Sequence, residues 1–231
     1  MAVDHDDRRV GVPGGGTVSV RVARPAAQRG VSPRSGHPVV VLAHGAGTDM
    51  RHPSLAGFQD DLAEAGWPTV TFNFPYREAG RRAPDPRPVL VAAYRAVLDA
   101  VVDDAALAPS WIVIGGRSMG GRMASHTAAE GACVRGLLFL AFPLHPPGKP
   151  GVERAAHLSG LDLPMLFVQG TRDTFARADL LTRVVAGLPR ATLVEIPEGD
   201  HSFRVPKRTG LGAADVRRIV QEAAVDWLSR L

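Results

Sequence analysis

A single cysteine, Cys133, occurs in 231 residues, so no intramolecular disulfide can form. That usage fits a reducing compartment. With no neighbouring histidine or cationic run to favour a thiolate, Cys133 is expected to be a small apolar filler before a buried strand. Lysine is nearly missing too, since Lys149 and Lys207 are the only two. The net charge of +4 and the isoelectric point near 9.9 come from arginines scattered among acids. Their tightest group, Arg77 to Arg87, lies in a proline-rich loop without an aromatic ladder, so no nucleic-acid partner is expected. Long apolar runs are also absent. The longest, Val39 to Ala43 and Leu137 to Phe142, fall far short of the roughly 20 residues that span a bilayer, so no membrane partner is expected. The first residues, Met1-Ala2-Val3-Asp4-His5-Asp6-Asp7, lack the basic-then-apolar order of a secretory leader, and a cytoplasmic location is expected. The eight histidines show no H-x-H or H-E-x-x-H spacing, so neither a metal nor another cofactor is expected.

What remains is 45% hydrophobic and 22% charged, enough for one sizeable core, and residues 1–231 read as a single domain. Arg8 to Val12 and Thr17 to Val22 flank Pro13-Gly14-Gly15-Gly16 and read as an antiparallel hairpin. Arg24 to Pro38 reads as a surface loop. Beyond it, apolar strands over Val39–Ala43, Thr69–Phe74, Trp111–Gly115, Gly136–Phe142, Met165–Gln169 and Thr192–Ile196 alternate with amphipathic helices over Ser54–Ala65, Val89–Asp103, Ser118–Glu130, Asp179–Ala186 and Ala213–Leu231. That order predicts an α/β fold, a mostly parallel sheet with helices on both faces.

The strand ending at Gly115 runs through Gly116-Arg117-Ser118-Met119-Gly120 into a helix, the context that a G-x-S-x-G elbow needs. Small residues two positions either side of the serine let strand and helix approach. Asp173 follows the next strand but one, and His201 follows the last, so the chain order is Ser, Asp, His. A serine hydroxyl becomes nucleophilic when a neutral imidazole takes its proton, and a carboxylate fixes that imidazole's tautomer. Ser118, Asp173 and His201 are therefore the expected nucleophile, orienting acid and base. Asp179, Glu198 and Asp200 are weaker alternatives for the acid. The first parallel strand ends in His44-Gly45-Ala46-Gly47, whose backbone can face a developing oxyanion together with the N–H of Met119. Ala46 is the first choice for the second donor and Gly45 the next. His44 is expected to brace this loop, and Tyr76, Arg77 and His145 are expected to brace loops or pair at the surface rather than touch substrate.

These phrases, with Phe72-Asn73-Phe74-Pro75-Tyr76-Arg77, Gly120-Gly121-Arg122, Pro143-Leu144-His145-Pro146-Pro147-Gly148 and Gly199-Asp200-His201-Ser202, resemble the dienelactone-hydrolase-like branch of the α/β-hydrolase superfamily. More narrowly, they are similar to small bacterial hydrolases related to testis-expressed protein 30. The resemblance implies a compact sheet without a large cap domain and the same Ser118, Asp173, His201 triad. Dienelactone hydrolases proper carry a cysteine where this chain has Ser118. The expected function is a serine hydrolase acting on a small-molecule carboxylic ester or thioester, and the alternative is a non-catalytic scaffold of the same fold. Prolines at 143, 146, 147, 150 and 164 leave room for only a short helix over Val152–Leu158, so a shallow, lidless site is expected.

Overall fold

The computed structural model describes residues 2–26 and 37–231, so most of the Arg24–Pro38 loop lies outside the described residues. Eight strands form one sheet: β1 (Val3–Val12), β2 (Gly16–Pro25), β3 (His37–Ala43), β4 (Thr69–Phe72), β5 (Pro109–Arg117), β6 (Gly136–Leu140), β7 (Met165–Gly170) and β8 (Ala191–Ile196). Their spatial order is β1-β2-β4-β3-β5-β6-β7-β8. The β1–β2 and β2–β4 pairs are antiparallel and every other pair is parallel. The hairpin is longer than its turn signal implied, because Val3 pairs with Pro25 and the ladder runs the full ten residues of each strand.

Six α-helices join the strands: α1 (Pro53–Glu64), α2 (Pro75–Glu78), α3 (Arg87–Val102), α4 (Met119–Ala129), α5 (Ala178–Ala186) and α6 (Ala213–Leu228). The period-two alternation of a strand sends successive side chains to opposite faces. Val39, Val41, Ile112, Ile114, Phe139 and Phe167 therefore join a core with α3, α4 and α5 residues such as Tyr94 and Met123. Val40, Leu42, Val113, Leu138 and Leu166 join a second core with Leu62 of α1 and Val220 and Trp227 of α6. This two-sided burial explains why the central strands read as continuous apolar runs.

Four local readings are corrected. The β4 strand stops at Phe72, since Pro75 starts the short α2. The β6 strand stops at Leu140, where Ala141 takes a positive φ of 57°. The short helix expected over Val152–Leu158 is a 3₁₀ helix over Glu153–Gly160, while the segment is, as expected, without a cap domain. Cys133 is exposed instead of filling the core, because it lies in the turn between α4 and β6, three residues before Gly136, the first buried residue of that strand.

Candidate active site

Strand order reverses at β3, which has β4 on one side and β5 on the other, so the loops after β3 and β5 diverge and leave a crevice at the sheet's carboxyl edge. Ser118 stands there as the residue that caps α4, with φ 51° and ψ −114°. A β-carbon disfavours that conformation, and it persists because the neighbours hold it. Its turn is packed against β3: a β-carbon on Gly116 or Gly120 would meet the Ala43 carbonyl oxygen at 2.2 or 2.1 Å. Both glycines are thus fixed by close backbone approach, as the elbow pattern predicts.

The structure brings the three candidate residues into one hydrogen-bonded chain. His201 Nε2 lies 2.9 Å from Ser118 Oγ, and His201 Nδ1 lies 2.7 Å from Asp173 Oδ2. An ionised carboxylate can only accept, so Nδ1 carries the proton and Nε2 turns its lone pair to the serine hydroxyl. The Asp173 side chain is fully buried. Its Oδ2 also accepts from Gln169 Nε2 at 2.5 Å, and its Oδ1 accepts from the Phe175 N–H at 2.7 Å. The Phe175 ring lies 4.4 Å from that of His201, tilted by 37°. The other acids are spent elsewhere. Asp179, in the first turn of α5, pairs with Arg177 and Arg183; Glu198 pairs with Arg208; Asp200 accepts from the N–H groups of Ser202 and Arg204 in its own turn.

Behind the elbow, Arg117 Nη2 donates to the His201 carbonyl at 2.6 Å, and its guanidinium sits 5.1 Å over the Phe203 ring. Burial lowers the pKa of this guanidinium from the usual arginine value, and the Asp173 and Asp200 carboxylates act in the opposite sense. Arg117, which directly precedes Ser118, therefore ties the His201 loop to the elbow. Sequence reasoning passed over Arg117, Gln169 and Phe175. The available signal was a polar Gln169 ending an otherwise apolar strand, which marks a buried polar group in need of partners.

The loop after β3 is held by a histidine. His44 Nε2 accepts from the Phe74 N–H at 3.1 Å, so its proton is on Nδ1, which donates to the Gly45 carbonyl at 2.8 Å. Burial, above all, lowers the His44 pKa to about 4, with Arg77 adding to the effect. The Gly45 carbonyl also accepts from Thr48 Oγ1 at 2.9 Å. In a trans peptide the following N–H points opposite to that carbonyl, so Ala46 N–H faces away from the His44 and Thr48 donors. A β-carbon on Gly45 would lie 3.6 Å from Ser118 Cβ, which puts this loop directly beside the elbow. Met119 N–H, at the first position of α4, has no intrahelical acceptor.

A second histidine repeats the arrangement on the acid side. His145 Nδ1 donates to the Pro146 carbonyl at 2.8 Å, and Nε2 accepts from the Arg177 N–H at 2.9 Å. Tyr76 is buried, and Arg77 sits 3.6 Å from Asp49. These three residues brace loops. A cavity of about 490 Å³ opens beside the triad, with Arg117, Leu140, Ser202 and Phe203 in its wall, together with residues of α1 and α6. None of the triad lines it. Loop composition did not reveal it because its apolar wall is gathered from distant segments, Phe58 of α1, Leu140 of β6, Phe203, Val205 and Leu211 before α6, and Val216 and Val220 of α6. Among the described residues, no three His, Cys, Asp or Glu side chains gather as a metal site requires. No helix among them is long and apolar enough to cross a membrane.

Residues 36–229 match the family profile described as alpha/beta hydrolase domain. The chain belongs to the α/β-hydrolase family. Its fold, without a cap domain, is similar to that of dienelactone hydrolases. It is similar to a dienelactone hydrolase from Anabaena variabilis, with 18% identity, a TM-score of 0.77, and coverage of 99% of this chain and 98% of that one. An alpha-beta serine hydrolase homologue from Coxiella burnetii shares 21% identity over 96% of each chain, with a TM-score of 0.73. A lidless α/β serine hydrolase from Xanthomonas campestris shares 21% identity, with a TM-score of 0.70, over 97% of this chain and 95% of that one.

Proposed function

We propose that this α/β-hydrolase is a cytoplasmic serine hydrolase that cleaves a small carboxylic ester or thioester through an acyl-enzyme, with Ser118, His201 and Asp173 as its triad. The observation that carries the reading is the unbroken hydrogen-bond path from Ser118 Oγ through His201 to the buried Asp173 carboxylate. Ser118 Oγ attacks the substrate carbonyl while His201 Nε2 takes its proton. The carbonyl oxygen gains charge and is met by the N–H groups of Met119 and Ala46. The orientation of the Gly45 peptide supports Ala46 over Gly45 as the second donor. As the tetrahedral species collapses, His201 returns the proton to the departing alcohol or thiol. Water, activated by the same imidazole, then releases the acid and restores Ser118. Asp173 holds the imidazole tautomer throughout.

A fluorophosphonate probe tests the reading, because it modifies an activated serine and spares an idle one. We expect one labelled site, Ser118, with labelling abolished by Ser118→Ala and strongly slowed by His201→Gln. The Ser118→Ala chain should also lose turnover of activated acetyl esters while keeping its circular-dichroism spectrum. Undiminished turnover in that variant, or labelling indifferent to His201, would refute the triad.

A further inference from the structure

Five side chains able to carry positive charge meet where the 3₁₀ helix Glu153–Gly160 packs on α4. The imidazoles of His126 and His157 stack at 4.0 Å between centroids, with 17° between their planes. Ser125 Oγ donates to the Arg122 carbonyl at 2.7 Å and so accepts from His157 Nε2–H at 2.8 Å. Arg122, on the same turn of α4, has a buried Nε without a hydrogen-bond partner. Arg154 on the 3₁₀ helix and Arg87 at the start of α3 lie within electrostatic reach of Arg122. Every charge acting on Arg122, His126 and His157 is positive: the two histidines feel Arg87 and Arg122, and His126 also feels His157. Glu153 adjoins Arg154 in the chain but is exposed, and among the described residues it forms no ion pair with these arginines. Elsewhere in the molecule arginines sit beside carboxylates, as Arg217 does with Asp61 and Arg81 with Asp85.

Like charges held together without a counter-charge raise the free energy of the folded state, and a buried, unpaired guanidinium nitrogen adds the penalty of a missing hydrogen bond. An anion removes both costs at once. A carboxylate has two oxygens and one charge, which a single guanidinium fork satisfies. Three guanidinium groups present more donors and more charge than that, beside imidazoles whose pKa values desolvation and the neighbouring positive charges lower. A tetrahedral oxyanion with nearly two charges matches them.

We propose that Arg87, Arg122, Arg154 and the stacked His126–His157 pair form a binding site for a phosphate-class oxyanion, distinct from the triad. It is independent of the hydrolase assignment, since its test reads binding rather than turnover. Calorimetric titration of the full chain with inorganic phosphate, at ionic strength held constant with chloride and with acetate as comparator, decides it. Saturable phosphate binding is expected, at least about tenfold tighter than acetate. Arg122→Gln and Arg154→Gln should each weaken it by about tenfold or more, while Arg172→Gln, on the β7–β8 side of the sheet, should leave it unchanged. If the change in α4 unfolded the chain, Arg154→Gln on the outer helix would still give the answer. A nucleoside monophosphate run alongside separates the sources. Binding tighter than that of inorganic phosphate assigns the site to a phosphorylated molecule, and equal binding assigns it to the free ion; both support the site. No saturable binding at millimolar phosphate, or binding undiminished in both variants, would overturn it.

Discussion

Ser118 works at the expense of the fold. Its φ of 51° places a β-branch-free but still substituted residue in a region that glycine occupies freely. Conformations of this kind cost about 1–3 kcal/mol each. Ser118→Gly is therefore expected to raise the stability of the folded chain by about 1 kcal/mol, after allowing for the extra freedom of glycine when unfolded, while removing any esterase activity. Urea denaturation of the two chains measures the difference. An unchanged or lowered midpoint would mean that the elbow is relaxed.

At the scale of elements, Tyr94 of α3 shows how a helix supports the elbow. Its hydroxyl lies 2.7 Å from the Val41 carbonyl of β3 and 2.8 Å from the Gly115 carbonyl of β5, and it accepts from the Gly115 N–H at 3.1 Å. Burial raises its pKa far above the ordinary phenol value, so it stays protonated and able to donate. Tyr94→Phe leaves these groups short of a partner in a fully buried place, and a loss of about 1–3 kcal/mol is expected, read from the same denaturation midpoint. Much of the architecture was legible beforehand, since strand runs, helix periods and the glycines at 116 and 120 each answer to a local rule. The less legible parts depend on contacts between distant segments. Nothing in the string His44 to Gly47 says that the His44 ring reaches Phe74, and nothing around Arg117 says that it reaches His201, 84 positions away. Composition likewise hid the exposure of Cys133 and the cavity beneath the base loop.

For the whole molecule, one buried and one partly buried histidine set a dependence on acid. His44 and His126 both have pKa values lowered to about 4, first of all by desolvation, against 6.5 for the free side chain. Between 6.5 and about 4, the unfolded chain binds protons that the native chain refuses, so stability declines as pH falls through that window and levels off below it. Above 6.5 this contribution is complete. Urea midpoints measured from pH 6.5 down to about 5, above the range where ordinary carboxylates titrate, should fall, and His126→Gln should flatten part of the slope. A constant midpoint over that interval would contradict the desolvation of both rings.

The last strand gives this molecule an order of failure. The proposed base, His201, follows β8, the outermost strand on its side of the sheet, most of whose residues are only partly buried. The proposed nucleophile, Ser118, follows β5, deep in the centre. Edge segments open with less free energy than central ones, and the base loop rests on a few anchors, among them Arg117 to His201 and Arg172 N–H to the Gly199 carbonyl. Denaturant should therefore silence hydrolysis while far-ultraviolet circular dichroism still reports a full sheet, so that loss of activity marks the peeling of one margin and not the collapse of the whole.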